Sequence, residues 1–328
     1  MTEAHITGRQ KAVTNIISAT LTSLAYGGRN HPMSRRWLGD VQVFRDIPYK
    51  DGFGPQHKLN VYRPKDMDGP LPVLMYIHGG GFGLLSKDTH WMFGAGFARQ
   101  GYVVFSIDYT LSGTAPFPAA CQDTFAAYSW IVANAFHYDG DASRTVLAGE
   151  SAGANLALAL TLAMCWERPE PWAREVFDVA GRVGLPRAVL PACGMLQVSD
   201  PERYLRQEHI PAWMRDRIAV VCRRYLPDAT GDPDRFALAD PLRFLEEAAP
   251  PARPLPPMMA VCGTRDPIKD DSRRLADALE RYPVTSEVRW YQGGIHAFHA
   301  FIWRKGARGA WEDQLRFLRE HVPGAGPG

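Results

Sequence analysis

Five residues constrain this chain more than any other stretch. Gly149-Glu150-Ser151-Ala152-Gly153 sits between an apolar run, Thr145 to Ala148, and an alanine-rich segment carrying Asn155, Leu156 and Leu160. A strand that passes into a helix through Gly-x-Ser-x-Gly must reverse within a few residues, which strains the serine and exposes its hydroxyl at the sheet edge. Glycine on either side removes the Cβ atoms that would collide in so tight a turn. The pattern should arise by chance only roughly 0.1 times in such a chain, and its placement between strand and helix makes coincidence rarer still. Ser151 is read as a nucleophile.

An elbow of this kind needs a parallel sheet to stand on. Apolar runs at Pro72 to Ile77, Tyr102 to Ile107 and Thr145 to Ala148 suit buried strands, followed later by Ala188 to Ala192, Met258 to Cys262 and Glu287 to Tyr291. Val41 to Tyr49 and Lys58 to Tyr62 read as antiparallel neighbours at one edge. Helix-like stretches fall between and after them, at Trp91 to Gln100, Ala119 to Ala135, Ala152 to Trp166, Asp271 to Arg281 and Ala310 to His321. This alternation predicts an α/β fold, a mostly parallel sheet flanked by helices. From about Gln197 to Glu247 the rhythm stops: helix-like pieces rich in Arg, Tyr and Trp replace strands, an excursion over one face of the sheet. The proline-rich stretch 248–257 is read as a stiff return segment, since the strand after it completes the sheet.

A nucleophilic serine needs a base, a carboxylate to orient that base, and donors for the oxyanion. Gly293-Gly294-Ile295-His296-Ala297-Phe298 directly follows the last strand, where a loop can lean over the sheet's C-terminal edge, so His296 is the base; His299 suits a surface or supporting role better. Asp266, at the end of the strand Met258 to Cys262, is the acid, whereas Asp270 and Asp271 supply negative charge to the next helix's N-terminus. His78-Gly79-Gly80-Gly81-Phe82 follows the strand ending at Ile77, and successive glycines let backbone amides face a cavity; it matches neither phosphate-loop pattern. The amide of Ala152 is a further oxyanion donor, while His78 holds the loop by hydrogen bonds and does not transfer protons.

HGGGF, GESAGAN, D-P-x-x-D and G-x-H-A-F together resemble the hormone-sensitive-lipase-like bacterial carboxylesterases (bacterial family IV) of the α/β-hydrolase fold, over nearly the whole chain from about Val41. The resemblance implies esterase activity on short- or medium-chain acyl esters without a cofactor; no His/Cys cluster in the sequence suggests a metal. It implies Ser151, Asp266 and His296 as triad and the amides of Gly80, Gly81 and Ala152 as oxyanion hole, with His78, Gly79 and Glu150 in support. It also implies a helical cap, built from residues 1–40 and 197–247 over a catalytic domain of 41–196 and 248–328. The chain departs from the family pattern in having Glu150 where Asp is common, in lacking the arginine of the Asp-Tyr-Arg-Leu-Ala-Pro-Glu stretch at Thr110, and in crowding the cap with Tyr204, Trp213, Arg215, Arg217, Arg223, Arg224 and Tyr225, most of which are expected to be solvated. An amidase or arylformamidase would use the same machinery, and a non-catalytic ligand receptor would be favoured only by loss of a triad member.

Composition removes other classes. Thirty-seven basic against 35 acidic residues give a net charge of +2, so no global field points to nucleic acid. There is no run of 18 apolar residues to span a membrane. Five dispersed cysteines without CxxC fit reduced core thiols and a cytoplasmic location. Val13, Ile16, Ile17, Leu21 and Leu24 recur at helical spacing, which reads as one buried helix face rather than a signal peptide. The partner expected is a small ester, and a homodimer is left open.

Overall fold

A computed structural model of the chain describes residues 19, 20, 22, 23, 25–50, 54, 56–208, 210–230 and 233–324. The apolar stripe at Val13, Ile16, Ile17, Leu21 and Leu24 lies outside those residues, and with it the choice between buried helix and signal peptide. Eight strands form one sheet: β1 (Val41–Pro48), β2 (Lys58–Pro64), β3 (Leu71–Ile77), β4 (Val103–Ile107), β5 (Gly140–Glu150), β6 (Ala188–Ala192), β7 (Met258–Gly263) and β8 (Ser286–Tyr291), in the order β1-β2-β4-β3-β5-β6-β7-β8. β2 runs antiparallel to both β1 and β4, and all other pairs are parallel.

Alternation along the strands splits the core into two layers. Val73, Met75 and Ile77 of β3 face one side, with Val103, Phe105 and Ile107 of β4, under the helices Ala119–Asn134, Ala152–Cys165 and Pro171–Val183. Leu74, Tyr76 and Val104 face the other, under Trp91–Ala98 and Lys305–His321. The helix Ala152–Cys165 is buried on every side, which explains its nearly uninterrupted apolar sequence. The helix Pro171–Val183 is absent from the sequence reading, although Pro171 in its first turn and the buried Ala173, Val176, Val179 and Ala180 at helical spacing were visible signals. Strand β5 starts at Gly140 rather than Thr145, the added residues pairing with Leu71 and Pro72 of β3 before a shift in register.

The chain leaves β3 toward β4 on one side and returns to β5 on the other, so the sheet's order reverses between β3 and β5. In an open parallel sheet that reversal opens a crevice beyond the strands' C-terminal ends. Ile77 of β3 pairs with Gly149 of β5, so the segments leaving the two strands, Gly79–Gly81 and Ser151, emerge side by side. Gly263 of β7 pairs with Tyr291 of β8 in the same way, upstream of Asp266 and His296. Among the described residues of 197–247 only helices occur: Glu202–Leu205, Ala212–Tyr225, a 3₁₀ turn at Pro233–Phe236, and Pro241–Glu247. The return segment is packed, not loose: Trp166 Nε1 donates to Ala249 O at 2.8 Å, and Arg253 donates to the carbonyls of Met164 and Phe177.

Candidate active site

Ser151 stands at the apex between β5 and the following helix with φ 54° and ψ −115°, a left-handed conformation that a side chain normally avoids. The close approach that forces it is visible at Gly153, where a Cβ would meet Ile77 O at 2.1 Å. Only glycine lets the new helix pass that close to the end of β3. The amide of Ser151 donates to Ala192 O at 2.9 Å, tying the apex to β6.

His296 Nε2 lies 2.9 Å from Ser151 Oγ, and its Nδ1 lies 2.9 Å from Asp266 Oδ2. Asp266 is 2% exposed, and its other oxygen accepts the amide of Ile268 at 2.9 Å. The two loops are stitched together: Arg265 N donates to Gly294 O at 2.9 Å, and Thr264 N to Tyr291 O at 3.0 Å. The carboxylate therefore requires Nδ1 to carry the proton, which leaves Nε2 free to accept from Ser151. Burial works to lower the His296 pKa, but the charge and hydrogen bond of Asp266, helped by Glu150, hold it above the ordinary imidazole value. Desolvation and attraction thus compete, and attraction wins.

Glu150, the residue before Ser151, is 5% exposed and faces two histidines. His90 Nε2 lies 3.1 Å from one of its oxygens, and His299 Nε2 lies 3.4 Å from the other. Burial alone would raise the carboxyl pKa; the His90 hydrogen bond and the neighbouring imidazoles reverse this and hold it down to about 2. His299 is 3% exposed, so the surface alternative for it fails; Phe298 and its own 3₁₀ turn carry it inward onto Glu150. Its pKa is lowered, first by burial. Sequence reasoning missed His90 altogether, because a partner 60 residues away leaves no local pattern.

His78 is fully buried, which lowers its pKa to about 3 and keeps it neutral. Its Nδ1 lies 2.7 Å from Gly79 O, and its carbonyl accepts from Tyr109 Oη at 3.0 Å. In the glycine loop the amides of Gly83 and Leu84 both turn back onto Gly80 O, at 3.2 and 3.1 Å. Gly79 presses on Glu150, since a Cβ there would lie 2.7 Å from Oε1. Among the described residues, outside helices and strands, no backbone bond has Gly80, Gly81 or Ala152 as donor.

Two further features were misread or unread. Of the side chains crowded into 197–247, Tyr204 and Tyr225 are completely buried, Arg215, Arg217 and Arg224 are half-buried, with Arg215 donating to Leu205 O at 2.7 Å, and only Trp213 and Arg223 are exposed, fewer than expected. Aromatic stacking explains part of this, with Tyr225 against Phe82 at 3.6 Å between ring centroids. Asp271 does lie in the first turn of Lys269–Leu279, but it is also wholly buried and accepts from Arg203, Tyr204 and the amides of Leu196 and Gln197. It anchors the start of the 197–247 segment beside the acid loop.

Cys193, Asp266 and His296 are the one set of close ligand-type atoms among the described residues. Burial, then the charges of Asp266 and Glu150, push the Cys193 thiol far up, so it stays protonated. No helix among the described residues is long and apolar enough to cross a membrane.

A serine, imidazole and carboxylate in line at the switch point of a mostly parallel sheet define an α/β hydrolase. A profile of the α/β-hydrolase fold matches residues 74–300. The acetyl esterase of Salmonella choleraesuis is 33% identical over 251 residues, 75% of this chain and 71% of that protein. Carboxylesterase NlhH of Mycobacterium tuberculosis is 28% identical over 247 residues, 74% of this chain and 71% of the relative. Among solved structures, esterase LipW from Mycobacterium marinum superposes with a TM-score of 0.74 at 22% identity, over 96% of this chain and 91% of that one. A bacterial heroin esterase gives 0.73 at 22%, over 95% and 92%. The chain belongs to the α/β-hydrolase family and, within it, to the hormone-sensitive-lipase-like carboxylic ester hydrolases.

Proposed function

We propose that this chain hydrolyses short- to medium-chain acyl esters through an acyl-enzyme formed on Ser151. The observation that carries the reading is the line Ser151 Oγ–His296–Asp266, with both links at 2.9 Å, at the apex of a strained elbow. Ser151 Oγ attacks the ester carbonyl carbon as its proton passes to His296 Nε2. Asp266 holds the imidazole in the required tautomer and offsets the charge it acquires. The tetrahedral oxyanion is assigned to the amides of Gly80, Gly81 and Ala152, which are not spent on backbone bonds outside helices and strands. Collapse breaks the bond to the alcohol oxygen, which takes the proton from His296. Water then attacks the acyl-enzyme with His296 as base, and the acid leaves as Ser151 regains its proton.

Residues 1–40 and 197–247 serve as the cap in this reading. Its support is the lean of the helix Ala212–Tyr225 on the glycine loop and the bond from Trp91 Nε1 to Ala25 O at 3.1 Å. Five free, buried cysteines suit a reducing compartment. The test is a rate series over aryl esters from acetate to octanoate, each paired with its anilide. Esters should turn over best at short or medium acyl length, with anilides slower by orders of magnitude. Anilides hydrolysed as fast as esters would indicate an amidase, and a folded protein inert to every ester would overturn the proposal.

A further inference from the structure

The helix Ala212–Tyr225 touches the glycine loop through Val221, whose two methyls lie 3.0 Å from where a Cβ on Gly81 would stand. Side chains four residues before and three after a helical position share its side of the helix. For Val221 these are Arg217 and Arg224, both half-buried. The Arg224 guanidinium packs against Gly113 through its Nη2 end, where a Cβ would meet Nη2 at 2.1 Å. Gly113 follows Ser112, whose amide donates to Phe82 O at 2.7 Å, so this loop too rests on the glycine loop.

Neighbouring arginines of the segment have acceptors: Arg203 on Asp271, Arg215 on Leu205 O and Arg223 on Glu202. Arg224 has no hydrogen bond or ion pair to any acceptor among the described residues. Its charged neighbour is instead Arg217, whose pKa is lowered by burial and then by the like charge of Arg224. A half-buried guanidinium without an acceptor among the described residues is costly to maintain, and an incoming anion would relieve that cost. Guanidinium is also the side chain that best matches a carboxylate, through paired N–H donors.

We infer that Arg224, with Arg217 beside it, binds a carboxylate of the substrate, so that the preferred esters carry an anionic group away from the scissile bond. The inference rests on the esterase reading and names its substrate class. A carboxylate on the acyl chain and one on the alcohol present the same chemistry, and two substrate pairs separate them. One pair is 4-nitrophenyl hydrogen glutarate and its neutral methyl ester. The other is the butyryl ester of 4-hydroxybenzoate and that of methyl 4-hydroxybenzoate.

In at least one pair the anionic member should have kcat/KM tenfold or more above its neutral isostere, chiefly through KM. The ratio should shrink as salt is raised. It should fall about tenfold in Arg224→Gln, less in Arg217→Gln, and be partly kept in Arg224→Lys. Each ratio is taken within one preparation, so a partly folded variant does not distort it. Neutral members equal or better in both pairs, or a ratio unmoved by Arg224→Gln, would overturn the inference while leaving the esterase reading intact. Calorimetric titration with monomethyl glutarate decides the point without turnover. Binding that Arg224→Gln abolishes supports the site, and no binding by the native protein overturns it.

Discussion

His296 is pulled in two directions, and the outcome sets the pH at which the site works. Desolvation favours neutral imidazole, whereas Asp266 and, behind it, Glu150 favour the cation and raise the pKa above 6.5. Only neutral His296 accepts the serine proton, so kcat/KM should rise with pH through a pKa above that ordinary value. Glu150→Gln removes one of the raising charges, and the acid limb should then move to lower pH. A limb that stays in place in that variant would remove Glu150 from the electrostatics of the base. His296→Ala should abolish turnover. His299→Ala should leave the triad standing but vacate a buried site against Glu150, costing stability by about 1–3 kcal/mol on thermal unfolding, with a smaller loss of rate. Reversal of those two results would mean that the base had been assigned three residues too early in the loop. The meeting of Ser151, His296 and Asp266 was legible because each sits just past a strand, in a short pattern with a backbone reason. The partners of Glu150 were not, since His90 lies on a separate helix entry and meets it only in space.

At the level of elements, the loops after β7 and β8 are tied by their own backbones, whereas the helical excursion is held to the helix after β7 by side chains, among them one wholly buried carboxylate, Asp271. Asp271 is 0% exposed beside an Arg203 side chain at 12%. Asp271→Ala would leave that guanidinium buried and unpaired, a loss of about 3–5 kcal/mol in a typical breakage of this kind. The variant should unfold at lower temperature and, if 197–247 is the cap proposed above, lose activity as that segment comes loose. Unchanged melting would show that Arg203 finds another acceptor at no cost. Here the sequence conveyed only half of the matter. Asp271 was legible as charge in a helix's first turn, but a contact between residues 68 apart cannot be read from local spacing. The same limit explains the crowded tyrosines and arginines: composition suggested solvated side chains, whereas Tyr225 is buried against Phe82 and Arg215 is half-buried on a backbone carbonyl.

For the molecule as a whole, the alternation of apolar runs with helix-like stretches was enough to predict the sheet and its layers, because buried parallel strands must be apolar on both faces. The two core layers also enclose all five cysteines. Burial pushes the thiols of Cys121, Cys165, Cys222 and Cys262 up to about 12. At pH 8 the thiolate fraction of each is then about 10⁻⁴, so native protein should resist alkylation and denatured protein should take up label at all five positions. Rapid labelling of the native protein would place at least one cysteine at the surface.

The sheet's C-terminal edge gathers Ser151 from β5, Asp266 from past β7 and His296 from past β8, and the central claim is that these act as one acylating site. Reaction with a 4-nitrophenyl alkylphosphonate tests it most directly, since phosphonylation needs an activated serine and leaves a stable mass tag. One tag per chain is expected, mapped to Ser151 and gained in step with loss of esterase turnover. Turnover should fall by roughly 10³-fold or more in Ser151→Ala, and that variant should take no tag. A tag on another residue, or near-normal turnover in folded Ser151→Ala, would contradict it.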